Sequence, residues 1–162
     1  MSRIAIIGGS GFSALAGAPA PAGPGLSTPF GVTSAPIARG SLAGRDVLFL
    51  PRHGAGHRIP PHKINYRANI WALKQAGAEY LVALAAVGGI GTAYGPRVLA
   101  VPRQVIEYTY GRDQSFHDGE GGAVVHIDFT QPYCETLRAA LLRAGQVAGL
   151  DPVDGGTYGA TQ

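Results

Sequence analysis

An α/β fold, in one domain over residues 1–162, is predicted by three observations. Short apolar runs end in paired glycines twice, at Ile4–Ile7 before Gly8-Gly9 and at Tyr80–Val87 before Gly88-Gly89. Two longer stretches carry helical spacing, and they fall between strand candidates. Apolar residues make up 46% of the chain and charged ones 14%, a balance that suits a globular domain with a buried core.

The elements follow in order. Arg3–Ile7 reads as a buried strand, because β-branched residues dominate and glycines stop it. Residues 14–27 are an Ala/Gly/Pro loop without periodicity. Pro36–Arg39 and Asp46–Leu50 read as strands around the turn Leu42-Ala-Gly-Arg45. Prolines and glycines between 51 and 63 exclude a helix there. Asn65 to Ala76 reads as a helix capped by Asn65 and stopped by Gly77, with Tyr66, Ile70 and Leu73 on its apolar face. Tyr80–Val87 is a continuous apolar strand of the kind usually covered on both faces. Val98–Val101, Val105–Tyr108 and Val124–Ile127 are further strand candidates, and 111–123 is a polar loop. Pro132–Ala148 reads as a second helix with Leu137, Leu141 and Ala144 on one stripe. Gly156–Thr161 reads as a last strand.

No apolar run approaches the roughly 18 residues of a membrane span, and the opening residues lack the apolar core of a secretory signal. A single cysteine, Cys134, allows no internal disulfide. A cytoplasmic location without membrane contact is therefore expected. Charge is uneven: residues 1–75 hold eight of the thirteen Lys/Arg but one of the ten acids, Asp46. An anion site is accordingly sought in this half.

Two groups of residues suit an anion. Gly8-Gly9-Ser10-Gly11 follows the first strand, where a glycine turn exposes backbone N–H groups and Ser10 adds a hydroxyl donor. Arg52-His53 follows another strand, and the arginine fork matches phosphate geometry. Three rival readings are weaker. Gly9-x-Gly11-x-x-Ala14 matches a dinucleotide fingerprint, but prolines follow and no acid appears before Asp46. His53 and His57 are four apart, a zinc spacing only on a helix, which the glycines and prolines oppose. His57 and His62 then read as loop anchors. The cluster Arg52, Arg58, Lys63 and Arg67 lacks interleaved aromatics and any nucleic-acid signature.

Collinear motifs make the reading specific. They are Ile6-Ile-Gly-Gly-Ser-Gly11, Thr28-Pro-Phe-Gly31, Leu50-Pro-Arg-His-Gly54 with His57, and Pro60 to Leu73. Ala86-Val-Gly-Gly-Ile90, Tyr108 to Arg112, His126 to Cys134 and Gly155-Gly-Thr-Tyr158 continue the series. Together they resemble the purine nucleoside and methylthioadenosine phosphorylases. The wording of 62–90 is similar to the branch acting on S-methyl-5′-thioinosine.

The resemblance implies a mixed sheet flanked by helices in three αβα layers, usually assembled as a homotrimer or a dimer of trimers. It implies a pentosyltransferase of purine salvage. Inorganic phosphate attacks the anomeric carbon of a 5′-methylthio purine nucleoside, with no metal or organic cofactor. By similarity Ser10, Arg52, His53 and the backbone of Ala86 bind phosphate, and His126 reaches across the subunit interface toward the sugar 5′ group. Ala85 departs from the Thr or Asn of relatives and removes a side-chain hydrogen bond near the phosphate. The purine-protonating acid is expected beyond Gln162, where relatives continue with Gly-Pro-Arg. No catalytic residue is therefore assigned within the chain, and a catalytically dead phosphate-binding remnant is the alternative.

Overall fold

The computed structural model describes residues 3–12, 21–119 and 121–161. Backbone contacts divide the chain into two compact units. The first runs from Met1 to Ala86 and takes in Arg112–Asp118; the second holds Val87–Gly111 and Gly119–Gln162.

In the first unit a four-stranded sheet carries the core. Its strands are β1 (Ile4–Gly8), β4 (Ala38–Leu42), β5 (Arg45–Pro51) and β6 (Tyr80–Ala83), in the order β4-β5-β1-β6. A small hairpin, β2 (Ser27–Thr28) with β3 (Gly31–Val32), lies outside this sheet and has no counterpart in the sequence reading. β4 and β5 form an antiparallel hairpin whose two loop residues, Ala43 and Gly44, both have positive φ. That backbone matches the twist of the flanking strands. β5, β1 and β6 run parallel, with Ile4 opposite Val47 and Tyr80.

Alternation along the strands divides the core between two faces. Ala5, Ile7, Leu48 and Leu50 pack with Leu73 of the helix α1 (Tyr66–Gln75), while Ile6 and Phe49 pack with Ala38 on the other face. Gly8 is required beside Phe49, since a Cβ there would stand 2.9 Å from the ring.

Helix α1 forms where the sequence places it. Asn65 accepts from the Ala68 N–H at 3.0 Å, and Gly77 takes φ +91° past the end. Arg3 donates to the terminal carbonyl of Ala76 at 2.8 Å. The buried stripe differs from the expected one: it is Ala68, Asn69, Ala72 and Leu73, and Ile70 is exposed. Asn69 turns the helix this way. Its side chain accepts from Ser34 N–H at 2.8 Å and donates to Ser34 Oγ at 3.0 Å, fastening the 26–36 segment. Asn65 Nδ2 adds a bond to the Phe30 carbonyl.

β6 is shorter than the sequence predicts, and it is half-buried, not covered on both faces. It borders the sheet, and its neighbour β1 ends at Gly8. Past Leu84 N–H, which still donates to the Ile7 carbonyl, no ladder partner remains on that side.

The second unit is built differently. β7 (Ala100–Val101) pairs parallel with β9 (Val153–Asp154), and β8 (Gln104–Glu107) with β10 (Thr157–Ala160). The helix α2 spans Glu135–Val147. Its buried positions are Arg138 and Gly145; Leu137 and Leu141 are half-buried and Ala144 is exposed. The expected apolar stripe is thus not the anchoring face. Arg138 donates to the carbonyls of Val101 (2.7 Å) and Pro102 (2.6 Å), to Asp154, and to Glu135 (3.1 Å). Gly145 lets Pro152 close in, for a Cβ would meet its ring at 2.6 Å. The strand expected at Val124–Ile127 is absent: these β-branched residues find no ladder and stay exposed.

Candidate functional site: an oxyanion cradle at the strand ends

Because β5, β1 and β6 are parallel and adjacent, their carboxyl ends open on one edge of the sheet. The residues after those ends are Arg52-His53, Gly9-Ser10 and Leu84–Ala86. Such an edge in an α/β sheet is where ligands are usually bound.

Arg52 joins the three ends. Its backbone N–H donates to the Gly8 carbonyl at 3.0 Å. Its guanidinium lies against Gly9, in the space a Cβ at that position would need. Nη1 donates to the Leu84 carbonyl at 2.6 Å. The arginine therefore crosses from β5 over β1 to the end of β6, two residues before Ala86. Glycine at position 9 is what admits it. Ser10 stands exposed in the turn Gly9–Phe12, which closes through Phe12 N–H to the Gly9 carbonyl at 2.9 Å, with Gly11 at φ +82°. Ala85 and Ala86 are exposed past β6. The last part of the dinucleotide fingerprint, Ser13-Ala14, falls outside the described residues.

His53 is 6% exposed. It is clasped twice to Ile59: the Ile59 N–H donates to the His53 carbonyl at 2.9 Å, and ring Nδ1 lies 2.9 Å from the Ile59 carbonyl. Gly54 (φ +74°) and Gly56 (φ +69°) turn the loop, and His57 takes φ +56°, rare for a residue with a Cβ. The His57 ring stacks on that of His53, centroids 4.2 Å apart and planes 34° apart. The four-residue spacing thus serves a ring contact within a loop.

The electrostatics of this edge are one-sided. Asp46 is at the amino end of β5, the opposite edge of the sheet. Arg67 is ion-paired with Asp113 and Asp118 and donates to the Ser115 carbonyl at 3.1 Å. Arg67 also covers the Phe30 ring, which meets Phe116 edge-on at 5.1 Å. These contacts fasten the 112–118 strap to α1 and take Arg67 out of the basic cluster. The polar contacts of Arg67 with the strap join residues 46–51 apart in sequence, and nothing local announces them.

His126 lies in the second unit, exposed, in a segment without secondary structure. In that unit Asp154 has its pKa lowered, chiefly by the hydrogen bond from Arg138; partial burial opposes this and Arg103 assists. Arg138 is pushed down by burial, but its bonds to Asp154 and Glu135 outweigh this and raise it.

Parallel strands whose carboxyl ends carry a glycine turn, an exposed serine and a backbone-braced arginine mark this as an α/β protein. The chain belongs to the phosphorylase superfamily, whose sequence profile matches residues 3–162. It is 49% identical over 159 residues to a probable S-methyl-5′-thioinosine phosphorylase of Xanthomonas campestris, covering 98% of this chain and 64% of that one. It is 44% identical to a purine nucleoside phosphorylase of Streptomyces coelicolor, covering 96% and 57%. Methylthioadenosine phosphorylase from Schistosoma mansoni in complex with adenine superposes with a TM-score of 0.83 at 30% identity, covering 100% of this chain and 65% of that one. The chain thus spans about two thirds of the length of these relatives, or somewhat less. The α/β class and the phosphorylase resemblance read from the sequence agree with these matches.

Proposed function

We propose that the protein acts in phosphorolysis of a 5′-methylthio purine nucleoside, S-methyl-5′-thioinosine or 5′-methylthioadenosine, and that this chain supplies the phosphate site. The products are free purine and 5-methylthioribose 1-phosphate. Ser10, Arg52, His53 and the Ala86 backbone hold phosphate. The observation that carries the reading is the path of Arg52 across three strand ends, with Gly9 left bare to admit it.

The physics suits the reaction. As the glycosidic bond breaks, the sugar becomes cation-like, and a held phosphate both stabilises that charge and attacks the anomeric carbon. Donors fixed in advance are worth more here than in water, and losing one costs about 3 kcal/mol in the barrier. The test measures base release against phosphate concentration in the presence of either nucleoside. Arg52→Ala is expected to weaken phosphate use roughly 100-fold or more while nucleoside binding changes little. Gly9→Ala is expected to act in the same direction by displacing the guanidinium. Unchanged phosphate saturation in Arg52→Ala would sink the assignment.

A second reading is favoured by one observation. Among the described residues of the first unit, Asp46 and Glu79 are at the amino ends of β5 and β6, the far edge, and Asp113 and Asp118 are paired with Arg67, so no acid is placed for a leaving purine. The chain then binds phosphate without turnover, and thermal stabilisation by phosphate with no base released identifies it. For the catalytic assembly we infer a cytoplasmic homotrimer in which His126 meets the sugar 5′ group of a neighbouring subunit. The exposed apolar side chains of the second unit support association, and sedimentation velocity tests it.

A further inference from the structure

The hydrogen bond between His53 and Ile59 determines more than ring orientation. A carbonyl oxygen only accepts, so Nδ1, 2.9 Å from it, is the ring nitrogen that carries hydrogen. In the neutral imidazole Nε2 is then a bare acceptor, and it is the nitrogen left to meet a ligand. A neutral His53 cannot donate to an oxyanion, but it can accept from one that carries a hydroxyl.

We propose that His53 is a specificity-determining residue of the anion site, whose Nε2 accepts the P–O–H hydrogen of hydrogen phosphate and thereby selects hydroxyl-bearing tetrahedral anions over sulfate. The inference rests on the phosphate-site reading above. Hydrogen phosphate offers oxygens to Arg52 and Ser10 and one hydroxyl to His53. Sulfate carries the same charge and nearly the same shape, but no hydrogen. It faces the Nε2 lone pair with no hydrogen to offer. No covalent bond changes in either case.

The groups against His53 are few. His57 stacks on its ring. Arg58 follows His57; its Nε would lie 3.4 Å from a Cβ built on Gly56. The Arg52 guanidinium is directed to Leu84. His57, the imidazole in direct contact with the ring, is the necessary control.

The experiment measures dissociation constants of phosphate and of sulfate by calorimetry at pH 8, at constant ionic strength. At pH 8 phosphate is expected to bind on the order of 10- to 100-fold more tightly, the cost of leaving a buried acceptor unpaired or facing a lone pair. His53→Gln, whose amide can donate, closes the gap to about twofold or less. His57→Asn, which tolerates the left-handed backbone, leaves the gap open. Nitrogen-15 chemical shifts of the wild-type chain at pH 8 give the tautomer directly, independent of any variant's folding. Equal affinities at pH 8, a hydrogen on Nε2 in the free neutral ring, or a gap that closes in His57→Asn but not in His53→Gln overturns the proposal. Arg52→Ala separates the two levels: it weakens both anions if the site reading holds, and leaving both unaffected removes that reading together with this one.

Discussion

The two units use opposite means to hold themselves together. In the first, Phe49, Leu48, Leu50 and Leu73 are at most 1% exposed, and polar side chains such as Asn69 serve to fasten loops to that core. In the second, Val101 is the one buried hydrophobic side chain among the described residues, while Ile90, Val124 and Val147 are more than four-fifths exposed. There the most buried large side chain is Arg138, a cation bonded to two carbonyls and two carboxylates. The proposed anion site sits on the unit with the packed core. A cradle that must hold donors in place before ligand arrives needs a support that does not give way, and close-packed side chains supply one.

Substitutions can sharpen this contrast. Phe49→Ala should have the largest effect, a loss of about 4 kcal/mol from the first unit, read by urea denaturation with hydrogen exchange at the β1 and β5 amides. Arg138→Ala should cost about 3 kcal/mol by leaving the Val101 and Pro102 carbonyls unmet. Its exchange signature should be confined to β7, β9 and α2, and deprotection of β1 in that variant would break the comparison. Asn65→Ala should cost about 1 kcal/mol through loss of the helix cap, seen as a lowered midpoint with unchanged urea slope. A smaller effect should come from acid. Asp154 has a depressed pKa in the folded chain, so its stabilising contribution is complete above the ordinary carboxylate value of about 4 and fades as pH falls through the folded value. Protection at Val153 and Asp154 should therefore drop on acidification below about pH 4, and Asp154→Asn should remove that dependence. Val147→Ala, at a 90% exposed position, should change stability by less than about 0.5 kcal/mol.

The same contrast explains what sequence reasoning could reach. β1 with its glycine stop, β5, the Ala43-Gly44 turn and the Asn65 cap are local signals, and each is where the residues place it. Ser10, Arg52 and His53 were legible as anion-site candidates because they follow strand ends or glycine turns. The extent of β6 was not legible, because a strand stops where its neighbour stops and not where its apolar run does. The β2–β3 hairpin lacked a signal as well, with Pro29 and Phe30 between strands of two residues each. Val124–Ile127 shows the converse failure: strand-forming residues make no strand without a partner. Arg67 and Arg138 look like ordinary surface cations in sequence, and their partners are far along the chain or on a different element.

The strap at Arg112–Asp118 bears on how the chain can be divided. It is bounded by Gly111 and Gly119, both at positive φ, and it returns to the first unit after the backbone has left at Val87. A stop codon after Ala86 would therefore not release an autonomous fragment. It would deprive Arg67 of both carboxylates and strip Phe116 from Phe30. For recombinant expression, the unit boundary in space is not a cleavage point in the gene.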